Sequence, residues 1–203
     1  MIGNQFMKKI FIPLVVAFGL MSAQATVFQY VAFLDGPSES PPNASPGTGF
    51  GTVNYDDFAH TLQVQVAFSG LLGTVTASHI HAATTLPFTG TAGVATTTPT
   101  FSGFPSGVTS GSYSNTLDLT SASSYNPSFV TANGGSIPAS ELALTTAIAG
   151  GKAYWNIHTS FASGGEIRGF LVSVPEPSTL ALLGLGVVTI VARSGKSRHS
   201  RHV

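Results

Sequence analysis

The 203-residue chain has no cysteine, only 8% charged residues and no net formal charge, so disulfide scaffolds and thiolate chemistry are excluded. That balance hides an asymmetry. Residues 26–174 carry Lys152 and Arg168 against Asp35, Glu39, Asp56, Asp57, Asp118, Glu141 and Glu166, a net charge of −5, while the remaining cations gather at the two ends. An acidic middle excludes nucleic acid, whose binding rests on phosphate neutralisation, and it avoids anionic lipid.

The first element is a leader. Lys8 and Lys9 precede an apolar stretch at 10–21, and Ala23-Gln24-Ala25 forms a small-x-small cleavage site before Thr26. This is the anatomy of a secretory signal peptide over residues 1–25, too short to span a membrane. Residues 26–174 then form one domain, long enough to bury roughly 68–70% of its unfolded surface without staples.

Within that domain, residues 26–34 read as a strand rich in aromatic and β-branched side chains. Residues 35–46 hold Pro37, Pro41, Pro42 and Pro46 and must be a loop, because proline cannot feed a central ladder. A second strand covers 49–55, and Asp56-Asp57 turns the chain. Residues 61–69 alternate cleanly: Leu62, Val64, Val66 and Phe68 face the core, while Thr61, Gln63, Gln65 and Ala67 face water. A short strand covers 77–81, loops with a strand or two fill 82–111, and a further strand covers 112–119. The one helix expected is 138–149, capped by Ser136, with Glu141 in its first turn and Gly150 as its stop. Strands at 152–158 and 167–174, joined through Gly164-Gly165, complete the domain. Many short strands with one small helix predict an all-β fold, an antiparallel Greek-key-like sandwich or barrel.

The C-terminal region is tripartite: Pro175-Glu176-Pro177, an apolar run at 180–192, and a basic end with Arg193, Lys196, Arg198 and Arg201. As a helix the run would reach only about 20 Å at ~1.5 Å per residue, short of a bilayer core of about 30 Å. Gly184 and Gly186 weaken it further. It suits transient membrane association, with the basic end cytoplasmic. The layout resembles the PEP-CTERM sorting signal of Gram-negative bacteria, here residues 175–203, with Pro175, Glu176 and Pro177 as the recognition motif. The resemblance implies an exosortase-type processing enzyme as partner, which cleaves near the motif and passes the protein from the inner membrane to the cell surface. An ordinary C-terminal membrane tail is the alternative.

Three histidines are candidates for chemistry. In an extended chain side chains two apart share a face, so His79 and His81 point together with Cα atoms about 6.8 Å apart, a spacing from which two imidazoles can converge on one metal ion. His158 points with Tyr154 and Asn156, opposite Trp155 and Ile157. All three are expected on a solvent-accessible face. The plain alternative is a hydrogen-bonded histidine cluster joining two strands. Glu166 and Arg168, also two apart, are expected to form a partly exposed ion pair of little energetic weight. No serine sits on a Gly-x-Ser-x-Gly elbow, and no second carboxylate is placed beside Glu166, so no catalytic residue is assigned.

The motifs Gly51-Thr52-Val53-Asn54-Tyr55, Ser69-Gly70-Leu71, His79-Ile80-His81-Ala82, Ala153-Tyr154-Trp155-Asn156-Ile157-His158-Thr159 and Gly164-Gly165-Glu166-Ile167-Arg168-Gly169 together resemble the CHRD domain, named for chordin, over about residues 28–171. The resemblance implies an extracytoplasmic location and a fold rather than an activity. A glycine-rich turn before His-Ile-His, with a later Ile-His, is more distantly similar to copper/zinc superoxide dismutase. By that likeness His79, His81 and His158 would ligate copper or zinc, although no cysteine pair and no clustered His and Asp supply a second site. Two functions are therefore in view. One is a non-catalytic binding or structural module at the cell surface or in the extracellular matrix, taking a polysaccharide, a surface protein or a metal, with Tyr113, Tyr125 and Phe129 as contacts. The other is a metal-dependent enzyme of superoxide-dismutase-like type.

Intact-mass analysis of protein recovered from the native cell surface is expected to show loss of residues before about Thr26 and of the tail beyond Pro177. A surface-exposed form still carrying residues 193–203 would instead establish a permanent anchor.

Overall fold

The structure, a computed structural model, describes residues 26–175. The expected leader with Ala23 and Ala25, Glu176 and Pro177, the apolar run at 180–192 and the basic end lie outside the described residues. Among the described residues no helix is long and apolar enough to cross a membrane.

Eight antiparallel strands form one curled sheet: β1 (Val27–Asp35), β2 (Thr48–Asp56), β3 (Thr61–Ser69), β4 (Val75–Ala82), β5 (Gly111–Asp118), β6 (Ala153–Thr159), β7 (Ile167–Phe170) and β8 (Val172–Ser173). Their spatial order is β4-β6-β7-β1-β2-β3-β5, with β8 added to β1. The chain crosses from one end of the sheet to the other between β3 and β4 and returns between β4 and β5. The all-β antiparallel expectation holds. The alternation in β3 is obeyed: Leu62, Val64, Val66 and Phe68 are buried, and Gln65 and Ala67 are exposed.

The sheet curls because its inner face has one apolar stripe to bury from both halves. Trp155 on β6, fully buried, reaches across to β2 and lies on Gly51, where a Cβ would come 3.1 Å from the indole ring. Any larger residue at Gly51 would push the halves apart, so that glycine sets how closely they approach. Beyond β4, residues 93–101 cover what would be an open edge: Ala82 N donates to Gly93 O, Ala95 N to Ile80 O and Phe101 N to Ser78 O.

Two helices close one end, α1 (Pro127–Ala132) and α2 (Ile137–Ala149). Ser136 caps α2 as expected, accepting from Ala139 N at 3.4 Å. Helix α1 was not expected. Its signal is Asn126-Pro127, a capping side chain followed by proline at the first helical position, where the missing N–H costs nothing. Glu141 sits in the second turn of α2, not the first, and its carboxylate accepts from Tyr55 Oη at 3.0 Å instead of serving the helix end. The last strand is also split: Leu171 turns fully into the core and pairs by its N–H with Ala153 O, after which β8 switches to β1. Tyr113, Tyr125 and Phe129 are buried in the core, so they are not surface contacts. Tyr113 and Tyr125 satisfy their hydroxyls on Ser102 O and Leu119 O, which is how a core accepts tyrosine.

Glu166 is fully buried and is not the partner of Arg168. Its carboxylate accepts from Ser45 Oγ (2.6 Å), Leu72 N (2.6 Å), Gly73 N (3.0 Å) and Thr159 Oγ1 (2.6 Å). Burial pushes its pKa up, but these four donors outweigh burial and hold it below the usual carboxylate range. A carboxylate whose folded pKa is depressed stabilises the fold above its unfolded pKa, and that contribution disappears as pH falls through the folded value. Glu166→Ala would strand four buried or half-buried donors and should cost about 3 kcal/mol or more in urea unfolding. A loss under about 1 kcal/mol would show that the donors find other partners.

Candidate metal centre

The β4–β6 pairing builds the site. Its register sets His79 opposite Asn156, His81 opposite Tyr154 and Ala77 opposite His158. Opposite residues share a sheet face, so the outward faces of both strands bring the three histidines together, with the methyl of Ala77 leaving room beside His158. The ring centroids of His79 lie 4.8 Å from His81 and 4.7 Å from His158, and those of His81 and His158 are 5.8 Å apart. One ring nitrogen from each residue lies within 4.8 Å of the other two.

The tautomers follow from the hydrogen bonds. Nδ1 of His79 meets Pro99 O at 3.1 Å, that of His81 meets Ala92 O at 2.8 Å, and that of His158 meets Ser163 O at 2.8 Å. A carbonyl only accepts, so each Nδ1 carries the hydrogen and each Nε2 presents a lone pair. All three Nε2 atoms are buried and without a hydrogen-bond partner. Three lone pairs aimed into one small space repel one another unless something electropositive lies between them. Backbone carbonyls that hold Nδ1–H while Nε2 points inward are the usual support of metal-ligating imidazoles.

Burial, then the neighbouring imidazoles, lower the pKa of His79 to about 3, and burial lowers that of His81 to about 4. His158 is lowered by burial as well. His79 and His81 are therefore neutral at any ordinary pH, and burial favours the neutral form of His158 too, the protonation state a metal requires. The expected solvent-accessible face is corrected here: His79 and His81 are buried, because residues 83–100 and 160–165 fold over the outward face and supply the carbonyls.

A charged pair borders the cluster. Arg168 on β7, opposite Asn156, stacks on Tyr154 with its guanidinium carbon 4.8 Å from the ring centroid, and Tyr154 stacks in turn on His81 at 4.7 Å. Arg168 donates through Nε to Ser38 O and through Nη1 to Gly90 O (3.1 Å), tying the proline-rich loop and the 83–100 cover to β7. Its carboxylate neighbour is Glu39 at 3.8 Å, and both are buried. Burial pushes Glu39 up to about 7 despite the attraction of Arg168. Glu39 escaped the sequence reading because it sits among prolines and serines with no strand register to place it. His60 lies apart, half exposed, with Nδ1 2.8 Å from Glu141 Oε1, which raises its pKa.

Taken together, the molecule is an exportable all-β domain with a three-imidazole cluster on one sheet face. Residues 30–171 match the CHRD domain and residues 173–197 the PEP-CTERM protein-sorting motif. The chain belongs to the CHRD domain family and is an exported protein carrying an exosortase sorting signal. No curated protein and no solved structure matches it.

Between pH 8 and 5 the ring resonances of His79 and His81 should not titrate, and nitrogen shifts should report unprotonated Nε2, whereas His158 should protonate below, and His60 above, the ordinary histidine range. Because the cluster's folded pKa values are depressed, its neutral burial favours folding above the unfolded value near 6.5 and is lost as pH falls toward 4. Protonation of His81 near pH 6.5 would contradict this geometry.

Proposed function

We propose that this protein is a non-catalytic surface module that holds one copper or zinc ion through Nε2 of His79, His81 and His158. The observation that carries the reading is the convergence of three buried, unpartnered Nε2 lone pairs, each held in place by an Nδ1–H bonded to a backbone carbonyl. An all-imidazole donor set suits copper and zinc and disfavours magnesium and calcium, which take oxygen ligands. Residues 175–203 supply sorting by an exosortase, so the ion would be held outside the cytoplasm, at the cell surface or in the matrix.

A metal-dependent enzyme of superoxide-dismutase-like type is the second reading, and the bordering Arg168 favours it as a cation beside the site. Against it stands the burial of every Nε2 atom, since redox turnover needs an open coordination position. Metal analysis of the purified protein after copper or zinc exposure and exhaustive desalting should give one ion per chain, with a raised melting temperature. His158→Ala should abolish both effects. A stable protein that retains no metal would leave a purely hydrogen-bonded cluster, and superoxide consumption by the loaded protein would favour the enzyme.

A further inference from the structure

The outward face of β1, β2, β3 and β5 has no part in the metal site. Strand alternation places Phe33, Phe50, Thr52, Gln65, Ser112 and Ser114 there, with the core behind them. Phe33 and Phe50 are directly paired across β1 and β2, with ring centroids 5.1 Å apart and 70% and 45% of each residue exposed. From Phe50 toward β5 the surface sinks into a groove of about 460 Å³, lined by Thr52, Gln65, Ser112 and Ser114. No charged side chain lines it.

We infer that this face binds a neutral polysaccharide chain. A sugar ring offers two chemistries at once, an apolar C–H face that stacks on an aromatic ring and a rim of hydroxyls that pairs with amide and hydroxyl side chains. An exposed phenylalanine pair beside a row of Gln, Thr and Ser answers both. Beyond the groove on the same face, Asn54 Nδ2 donates to Gln63 Oε1 at 3.1 Å, whereas the side-chain amide of Gln65 makes no bond within the sheet. Charge selects the polymer. With a net −5 across residues 26–174 and both domain cations elsewhere, an anionic polysaccharide or lipid headgroup meets repulsion and no partner. A protein partner would be expected to find a wider apolar centre and an arginine or tryptophan anchor. The face continues toward the histidines, because Asp35 on β1 pairs with Arg168 on β7, yet the inference stands whether or not metal binds.

The test is affinity electrophoresis of the full-length chain in a polyoxyethylene detergent, through gels cast with dextran, hydroxyethylcellulose or galactomannan, with polygalacturonate as the anionic control. Retardation by at least one neutral polymer is expected, weakened about tenfold by Phe33→Ala with Phe50→Ala and several-fold by Gln65→Ala. Phe33→Tyr keeps the ring and should keep binding. All three side chains changed are surface groups, and an unchanged melting temperature confirms that each variant is folded. Passage through all three neutral gels without retardation, retardation by polygalacturonate alone, or equal retardation of the double variant would overturn the inference. So would self-association of the native chain that the double variant abolishes while polymer binding is absent.

Discussion

One hydrogen bond governs the face on which the histidines lie. Trp155 Nε1 donates to Ser78 Oγ at 2.8 Å, and that hydroxyl donates to Asn156 O at 3.0 Å. The indole is too large to fit anywhere but the centre of the core, and its N–H must find an acceptor there. Ser78 on β4 is that acceptor, so the pair locks β4 against β6 in one register. A slip of β4 by one residue would turn His79 and His81 inward, away from His158 on β6, and would leave Ile80 under the loops. The histidine cluster is therefore a consequence of how a tryptophan is buried on the other side of the same two strands.

Glu166 does for the loops what Trp155 does for the strands. Its four donors come from the proline-rich loop, the turn after β3 and the end of β6, segments far apart in sequence. A carboxylate this buried is tolerated only because every oxygen is answered. Arg168, two residues on, holds Ser38 O of the proline-rich loop and Gly90 O of the segment that covers the histidines. The two ionic side chains of the Glu-Ile-Arg motif thus act separately, one beneath the sheet end and one on its outward face. Pairing between them is ruled out by what each already holds.

The outward face carries a gradient of chemistry along one sheet. At the β4–β6 end it is covered and lined with imidazole, tyrosine and arginine, while at the β2–β5 end it is open, uncharged and bordered by phenylalanine. Short loops at one end and long ones at the other produce this difference. The connection between β4 and β5 spans residues 83–110 and has length enough to fold back over the histidines, whereas β2 and β3 are joined by a tight turn that covers nothing.

Period-2 reasoning placed the inward residues of β3, paired His79 with His81 and set His158 with Asn156, because strand alternation is a local property written into neighbouring residues. Composition and the C-terminal motif were equally legible: a sorting signal and an acidic, cysteine-free domain require no coordinates. Helix α1 could have been read from Asn126-Pro127, but six residues carry too little periodicity to announce a helix. What only the tertiary structure decided was which strands are neighbours and what covers them. Strand order depends on which apolar faces bury one another, so the meeting of β4 with β6 followed from Trp155, Gly51 and Ser78 acting together. The tautomers of the histidines, the separation of Glu166 from Arg168 and the burial of Tyr113, Tyr125 and Phe129 all depend on partners tens of residues away. Local sequence carries no record of such partners, because their free energy appears only when the chain closes on itself.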